Sequence, residues 1–278
     1  MSRWLISVAE LAKCCQHENV VVVDCRFALA DPLAGEQQYA AGHIPGSRYA
    51  HLDRDLSGPR ALHGGRHPLP TLSELTAVFS RLGINSNPPS LVVAYDDSKF
   101  AFAARLWWLL RYCGHDNVRV LDGGYSAWRA SKLPMDAELP PPETGAFMAS
   151  PRAEMAIDIN AVKRVAVGKN ADSIADTVLI DSREAPRFLG LEEPIDPVAG
   201  HIAGARNYPW QQVSSDVGLF NAPDDQRVRW GDIATAKNIV VYCGSGVTAC
   251  VNLLSLAEIG REDAQLYAGS WSDWCSYL

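Results

Sequence analysis

The residues of this chain best suited to chemistry are Cys243-Gly-Ser-Gly-Val-Thr248. They follow a short apolar run, 239–242, and lead into a helical pattern over Val247–Ile259 that Gly260 closes. A cysteine at the carboxyl end of a strand, in a glycine-containing turn before a helix, sits in a particular field. Gly244 and Gly246 let the backbone curl so that successive N–H groups point inward and form an anion-holding nest. The helix N-terminus adds partial positive charge. Both effects favour the thiolate, which is the nucleophilic form of cysteine. The other six cysteines, at 14, 15, 25, 113, 250 and 275, are scattered, and no CxxC pair is backed by a second ligand pair. They read as small buried apolar residues of a reducing compartment, and no metal site is expected.

The elements that must position this loop occur twice. Val21-Val-Val-Asp-Cys-Arg26 recurs as Val178-Leu-Ile-Asp-Ser-Arg183, and Gly42-His-Ile-Pro-Gly46 as Gly200-His-Ile-Ala-Gly204. Leu91-Val-Val-Ala-Tyr-Asp96 is answered by Asn238-Ile-Val-Val-Tyr-Cys243, and Gly123-Gly-Tyr-Ser-Ala-Trp128 by Gly269-Ser-Trp-Ser-Asp-Trp274. Four blocks in one order make a tandem repeat. The division that follows is a first domain over 1–136, a proline-rich linker over 137–156 centred on Leu139-Pro-Pro-Pro-Glu-Thr-Gly145, and a second domain over 157–278. Within each half the runs at 20–24, 91–95 and 119–121, and at 178–181, 239–242 and 265–267, read as buried parallel strands. Helical patterns separate them, notably 101–112 and 247–259. This predicts an α/β fold in each half: an open, mostly parallel sheet with helices on both faces. Ser7 and Glu10 are spaced as a capping box that opens a short helix.

The first half has Asp96 where the second has Cys243. A carboxylate is not a soft nucleophile, so the first copy is expected to be non-catalytic and the second catalytic. Composition agrees with a globular protein of this kind. The net charge of −7 argues against nucleic acid or an anionic membrane as partner. No run approaches the roughly 20 apolar residues of a membrane span. The N-terminal segment meets Glu10 before a signal-peptide core can form, so a cytoplasmic protein is expected.

The aspartate-x-arginine after each first strand, the Gly-His-Ile-x-Gly motifs, the Cys-Gly-Ser-Gly-Val-Thr loop and the closing Gly-Ser-Trp-Ser-Asp-Trp together resemble the tandem rhodanese and 3-mercaptopyruvate sulfurtransferase family, over nearly the whole chain. The resemblance implies two rhodanese-like domains and a ping-pong cycle without a cofactor. In that cycle Cys243 takes a sulfane sulfur from thiosulfate or 3-mercaptopyruvate as a persulfide and passes it to cyanide, a thiol or another thiophilic acceptor, with a protein thiol reductant such as thioredoxin as one possible acceptor. Loop residues Gly244, Gly246, Val247 and Thr248 would hold the negative charge. The resemblance also implies a relay from Asp53 through His67 to Ser245, and Arg187 as the residue that holds the donor's anionic group. It leaves the donor open. The mercaptopyruvate enzymes carry a second arginine nine residues after the first, where this chain has Asp196, as thiosulfate-using rhodaneses do. Those rhodaneses in turn place basic residues inside the loop, where this chain has glycines.

Other residues read as structural. His43 and His201 are expected to brace turns, and Asp24–Arg26 and Asp181–Arg183 to be strand-end pairs. Trp107, Trp108, Trp128 and Trp274 are expected in the core, and Trp271 as a wall of the pocket. A cysteine phosphatase would need an arginine six places after its nucleophile, and position 249 is alanine. The other alternative is a sulfur-relay or partner-binding module with a dedicated protein acceptor.

Overall fold

The computed structural model describes residues 2–141, 144–166 and 176–278. These form two compact units. The first comprises Met1–Gly58, Pro70–Arg152 and Ser214–Phe220, and the second Pro59–Leu69, Ala153–Val213 and Asn221–Leu278. Each unit therefore takes in one segment from the other half of the sequence, which a linear division does not anticipate.

The first unit is built on strands β1 (Leu5–Ile6), β2 (Val20–Asp24), β3 (Arg48–Tyr49), β4 (Leu91–Tyr95) and β5 (Val118–Leu121). They form one sheet in the order β1-β5-β4-β2-β3, parallel throughout. The second unit has β6 (Thr177–Asp181), β7 (Arg206–Asn207), β8 (Asn238–Tyr242) and β9 (Gln265–Leu266), parallel in the order β7-β6-β8-β9. β2 against β4 and β6 against β8 pair in the same register, Asp24 opposite Tyr95 and Asp181 opposite Tyr242. The β-branched runs fit because both faces of these strands are covered.

The strand ends show why two of the repeated motifs travel together. Arg183 grips the Asp181 carboxylate and also donates through Nη2 to the carbonyl of Gly200 at 2.6 Å. Arg26 does the same with Asp24 and the carbonyl of Gly42, at 2.7 Å. Aspartate-x-arginine and Gly-His-Ile are thus two ends of one brace, whose aspartate–arginine pair is buried in each unit. His43 Nδ1 bonds the carbonyl of Tyr39 and His201 Nδ1 that of Phe188, both at 2.8 Å, as turn-bracing rings do.

The helices after the two loops run Ala103–Tyr112 and Ala249–Glu258, each beginning two residues later than the sequence pattern suggests. Both are buried on nearly every side, so burial rather than capping holds them. The expected Ser7–Glu10 capping box is present. Of the linker stretch, residues 142 and 143 lie outside the described residues. Beyond them Gly145 donates to Ser80 O at 2.8 Å and Arg152 to Tyr112 O at 2.8 Å, so this segment lies along the first unit. Trp107, Trp108 and Trp128 are core residues, whereas Trp274 is only half-buried. Among the described residues no helix is long and apolar enough to cross a membrane.

Candidate active site

Cys243 directly follows β8 and is 2% exposed. The closing motif of the repeat holds its backbone. Cys243 N donates to Ser270 Oγ at 3.1 Å, Trp271 N to Cys243 O at 3.0 Å, and Ser272 N to Gly244 O at 2.9 Å. Ser270 adopts φ 55 to do this, and its own hydroxyl donates to Tyr267 O at 2.9 Å. Gly246 has no substitute here: it sits at φ +77, and an added Cβ would lie 2.2 Å from Ala268 O. Val247 is buried, and its carbonyl accepts from Cys250 N at 3.0 Å. Thr248 is the residue on which the helix Ala249–Glu258 begins. Gly244 lies at ordinary φ. Its lack of a side chain matters for another reason, since a Cβ there would come within 3.0 Å of Arg66 Nη2 and 3.5 Å of Arg187 Nη1.

The same closing motif holds the segment 59–69. Gly64 N donates to Asp273 Oδ1 at 2.7 Å and Arg66 N to Ser272 Oγ at 3.1 Å. Asp273 is kept in place by the Tyr267 hydroxyl at 2.7 Å. His67 is thereby delivered to the loop, where Nδ1 lies 2.7 Å from Ser245 Oγ. Both side chains are buried, at 2% and 7% exposure. Asp53 belongs to the first unit, in the short helix Leu52–Asp55, where its N–H donates to His51 Nδ1 at 3.1 Å.

Arg187, in the short helix Ala185–Phe188, pairs with Glu193 at 2.6 Å and with Asp196 Oδ2 at 3.1 Å. Asp196 also pairs through Oδ1 with Arg66. Burial raises the Asp196 carboxyl and the neighbouring Glu193 adds to this, which outweighs the pull of Arg66 and Arg187 in the other direction. Burial also acts to raise Glu193. There the hydrogen bonds from Arg187 and from the Asp196 and Ile195 amides prevail, and Glu193 lies below its ordinary value.

Sequence reasoning did not identify Arg66, Glu193 or the serines of the closing motif as parts of this site. Arg66 adjoins the already suspected His67, and that adjacency was the available signal. Trp271 is a correction. It is a core residue, its indole N–H donating to Val198 O at 2.9 Å, rather than a pocket wall. Burial pushes Cys113 up to about 12 and Cys275 up to about 11, and raises Cys25 well above the usual thiol value. These three thiols are inert at neutral pH.

A family model for the rhodanese-like domain matches residues 7–131 and again 166–277. The chain belongs to the rhodanese family and carries two such domains in tandem. It is 41% identical over 278 residues to a Pseudomonas aeruginosa protein named as a probable 3-mercaptopyruvate sulfurtransferase, covering 98% of this chain and 95% of the relative. It is 38% identical over 275 residues to SseB of Mycobacterium tuberculosis, provisionally named a thiosulfate sulfurtransferase, covering 98% and 94%. The crystal structure of the 3-mercaptopyruvate sulfurtransferase SseA from Escherichia coli superposes with a TM-score of 0.83 at 28% identity, over 98% of this chain and all of that one. The chain is a sulfurtransferase.

Proposed function

We propose that Cys243 is the sulfur carrier and that 3-mercaptopyruvate is the preferred donor. The Cys243 thiolate attacks the donor sulfur. The bond from that sulfur to carbon breaks, the persulfide forms, and the departing pyruvate enolate takes up the proton that the donor thiol brought. That proton must move from sulfur to carbon, and the Ser245–His67 pair moves it. Asp53 would orient the ring, as the family resemblance implies. Thiosulfate makes no such demand, because sulfite leaves as a stable anion. The contact of His67 Nδ1 with Ser245 Oγ, at 2.7 Å, is the observation that carries the mercaptopyruvate reading. Charge supports it too. Beside the loop the two arginines, Arg66 and Arg187, are matched by two carboxylates, Glu193 and Asp196, which suits a monoanion better than the thiosulfate dianion.

In the second half-reaction the outer sulfur passes to a thiol or cyanide and Cys243 returns as thiolate. A thioredoxin-like protein thiol is the acceptor we favour in a cytoplasmic setting. The division into a non-catalytic domain over 1–136 and a catalytic one over 157–278, joined by 137–156, belongs to the same reading. The test is side-by-side initial rates with 3-mercaptopyruvate and thiosulfate, together with the mass of the Cys243 peptide after donor alone. A gain of one sulfur on that peptide and a preference for mercaptopyruvate are expected. A preference for thiosulfate would overturn the donor, and an unmodified Cys243 would overturn the carrier.

A further inference from the structure

The sequence contains an apparent gap. The family resemblance implies a second donor-binding arginine at position 196, and aspartate stands there instead. Three observations bear on what replaces it. One is the shared carboxylate: Asp196 offers Oδ1 to Arg66 and Oδ2 to Arg187, so it holds two guanidinium groups side by side. Another is direction. Arg66 Nη1 is the atom spent on Asp196, and Arg187 uses Nε and Nη2 on Glu193 and Asp196. The atoms left over, Arg66 Nη2 and Arg187 Nη1, lie 3.0 and 3.5 Å from a Cβ built on Gly244, with the engaged Arg187 Nη2 beside them at 3.6 Å. Among the described residues neither makes a hydrogen bond within the protein. The last is rigidity. Arg66 N is fixed to Ser272 Oγ at 3.1 Å, and Gly65 before it packs so closely that a Cβ would lie 2.4 Å from Gly269 O.

We propose that Arg66 is the second guanidinium of the donor seat, and that with Arg187 it receives the two carboxylate oxygens of an α-keto acid donor beside the Cys243 loop. Asp196 is then the clamp that holds the replacement arginine, rather than the mark of a lost cation. One N–H from each arginine directed at one carboxylate gives the planar, two-point recognition that guanidinium groups provide. Asp196 and Glu193 are only 3% and 4% exposed, whereas the Arg66 and Arg187 side chains are 23% and 14% exposed, so the cations are the groups an arriving anion meets. The carboxylates behind them neutralise the pair, which favours a singly charged group.

This inference rests on Cys243 as the carrier, so its test includes a readout that does not need turnover. The full chain is compared with Arg66→Ala and Arg66→Lys in two ways. The first is KM and kcat with 3-mercaptopyruvate. The second is the rate at which Cys243 is alkylated by iodoacetate, an anion, relative to iodoacetamide, its neutral analogue, followed on the Cys243 peptide. Arg66→Ala should raise KM about tenfold to a hundredfold, the loss of one charge-assisted hydrogen bond, with kcat changed far less. The iodoacetate-to-iodoacetamide ratio should fall by about tenfold, and Arg66→Lys should recover part of both losses. A residue that merely held the loop in shape would change both alkylation rates alike. An unchanged KM and an unchanged ratio in an active enzyme would overturn the proposal. If the wild-type chain forms no persulfide, the functional reading falls, and the alkylation ratio still decides whether Arg66 draws anions to Cys243.

Discussion

Residues 96–103 and 243–250 occupy the same place in the two units, each after the strand that pairs with the first strand of its repeat. In the first loop the Asp96 carboxylate is 2% exposed and accepts four backbone N–H groups. Oδ1 takes those of Ser98 and Phe100 at 2.8 and 3.1 Å, and Oδ2 those of Phe102 and Ala103, both at 2.9 Å. This loop is a cradle for negative charge, filled by its own side chain. The carboxylate oxygens stand two bonds beyond Cβ, and so does the outer sulfur of a cysteine persulfide. Asp96 therefore resembles in shape and charge the intermediate proposed for Cys243. The surroundings differ as much as the central residue does. A cavity of about 390 Å³ at the first loop is lined by Asp97, Lys99 and Asp216 as well as Asp96, and among the described residues no arginine lines it. The second loop is bordered by Arg66 and Arg187 and carries the Ser245–His67 pair. On the proposed reading, the repeat keeps one loop frame for a negatively charged group, and catalysis depends on which atom bears the charge and on what faces it.

The most severe way to test this comparison is to copy one loop's central residue into the other. Cys243→Asp should reduce sulfur transfer with either donor to background while leaving the thermal transition close to that of the parent protein, because the loop frame accepts a carboxylate in the first unit. Retained turnover would remove Cys243 from the mechanism, and a protein that fails to fold would show that the two frames are not equivalent.

The facing residues should matter next. His67→Ala is expected to lower turnover with 3-mercaptopyruvate by about a hundredfold, the lower end of what a positioned acid–base group contributes. The rate with thiosulfate should change far less, since sulfite needs no proton to leave. Equal losses with both donors would indicate that His67 only supports the shape of Ser245.

Asp96→Ala tests the other side of the comparison. It leaves buried amides without an acceptor and should cost about 1–3 kcal/mol of stability, measured by denaturant unfolding, with the KM for 3-mercaptopyruvate unchanged. Burial raises the Asp96 carboxyl above the usual aspartate range, and the four amides recover only part of that shift. A carboxyl raised on folding contributes stability that is fully present below its unfolded pKa and is lost as pH climbs through its folded pKa. The gap between the parent protein and Asp96→Ala should therefore narrow as pH rises across that interval. A gap that widens would mean that the amides, not burial, dominate.

Much of this architecture was legible in the sequence for a local reason. Buried strands, glycine turns and the strand-to-helix junction at Cys243 are written in neighbouring residues, so the repeat, the parallel sheets and the place of the Cys243 loop could be read directly. Pairings across long separations could not. Ser272 holding Arg66, and Ser270 holding the amide of Cys243, join residues 206 and 27 positions apart through single hydrogen bonds. No periodicity signals such contacts. The surroundings of Asp196 were hidden for the same reason, because one of its partners is an arginine 130 positions away. Trp271 occurs in a motif that touches the loop, yet its backbone makes the contact and its ring turns into the core.

The smallest expected effect concerns backbone strain. Lys99 stands where the second loop has Gly246, and it adopts φ 55 against +77 for that glycine. A left-handed backbone costs an ordinary L-residue about 1–2 kcal/mol. Glycine removes that cost but gives up roughly 0.5–1 kcal/mol through the greater freedom of the unfolded chain. Lys99→Gly should therefore stabilise the protein by about 0.5–1 kcal/mol, seen as a small rise in Tm, with sulfur transfer unaltered. A clear loss of stability would mean that the Lys99 side chain does more than span this turn. Its stem runs past Gly218, with Cγ 4.0 Å from a Cβ built there, in the segment Ser214–Phe220 of the same unit. Combining Lys99→Gly with a substitution in that segment would then separate the packing of the stem from the strain of the backbone.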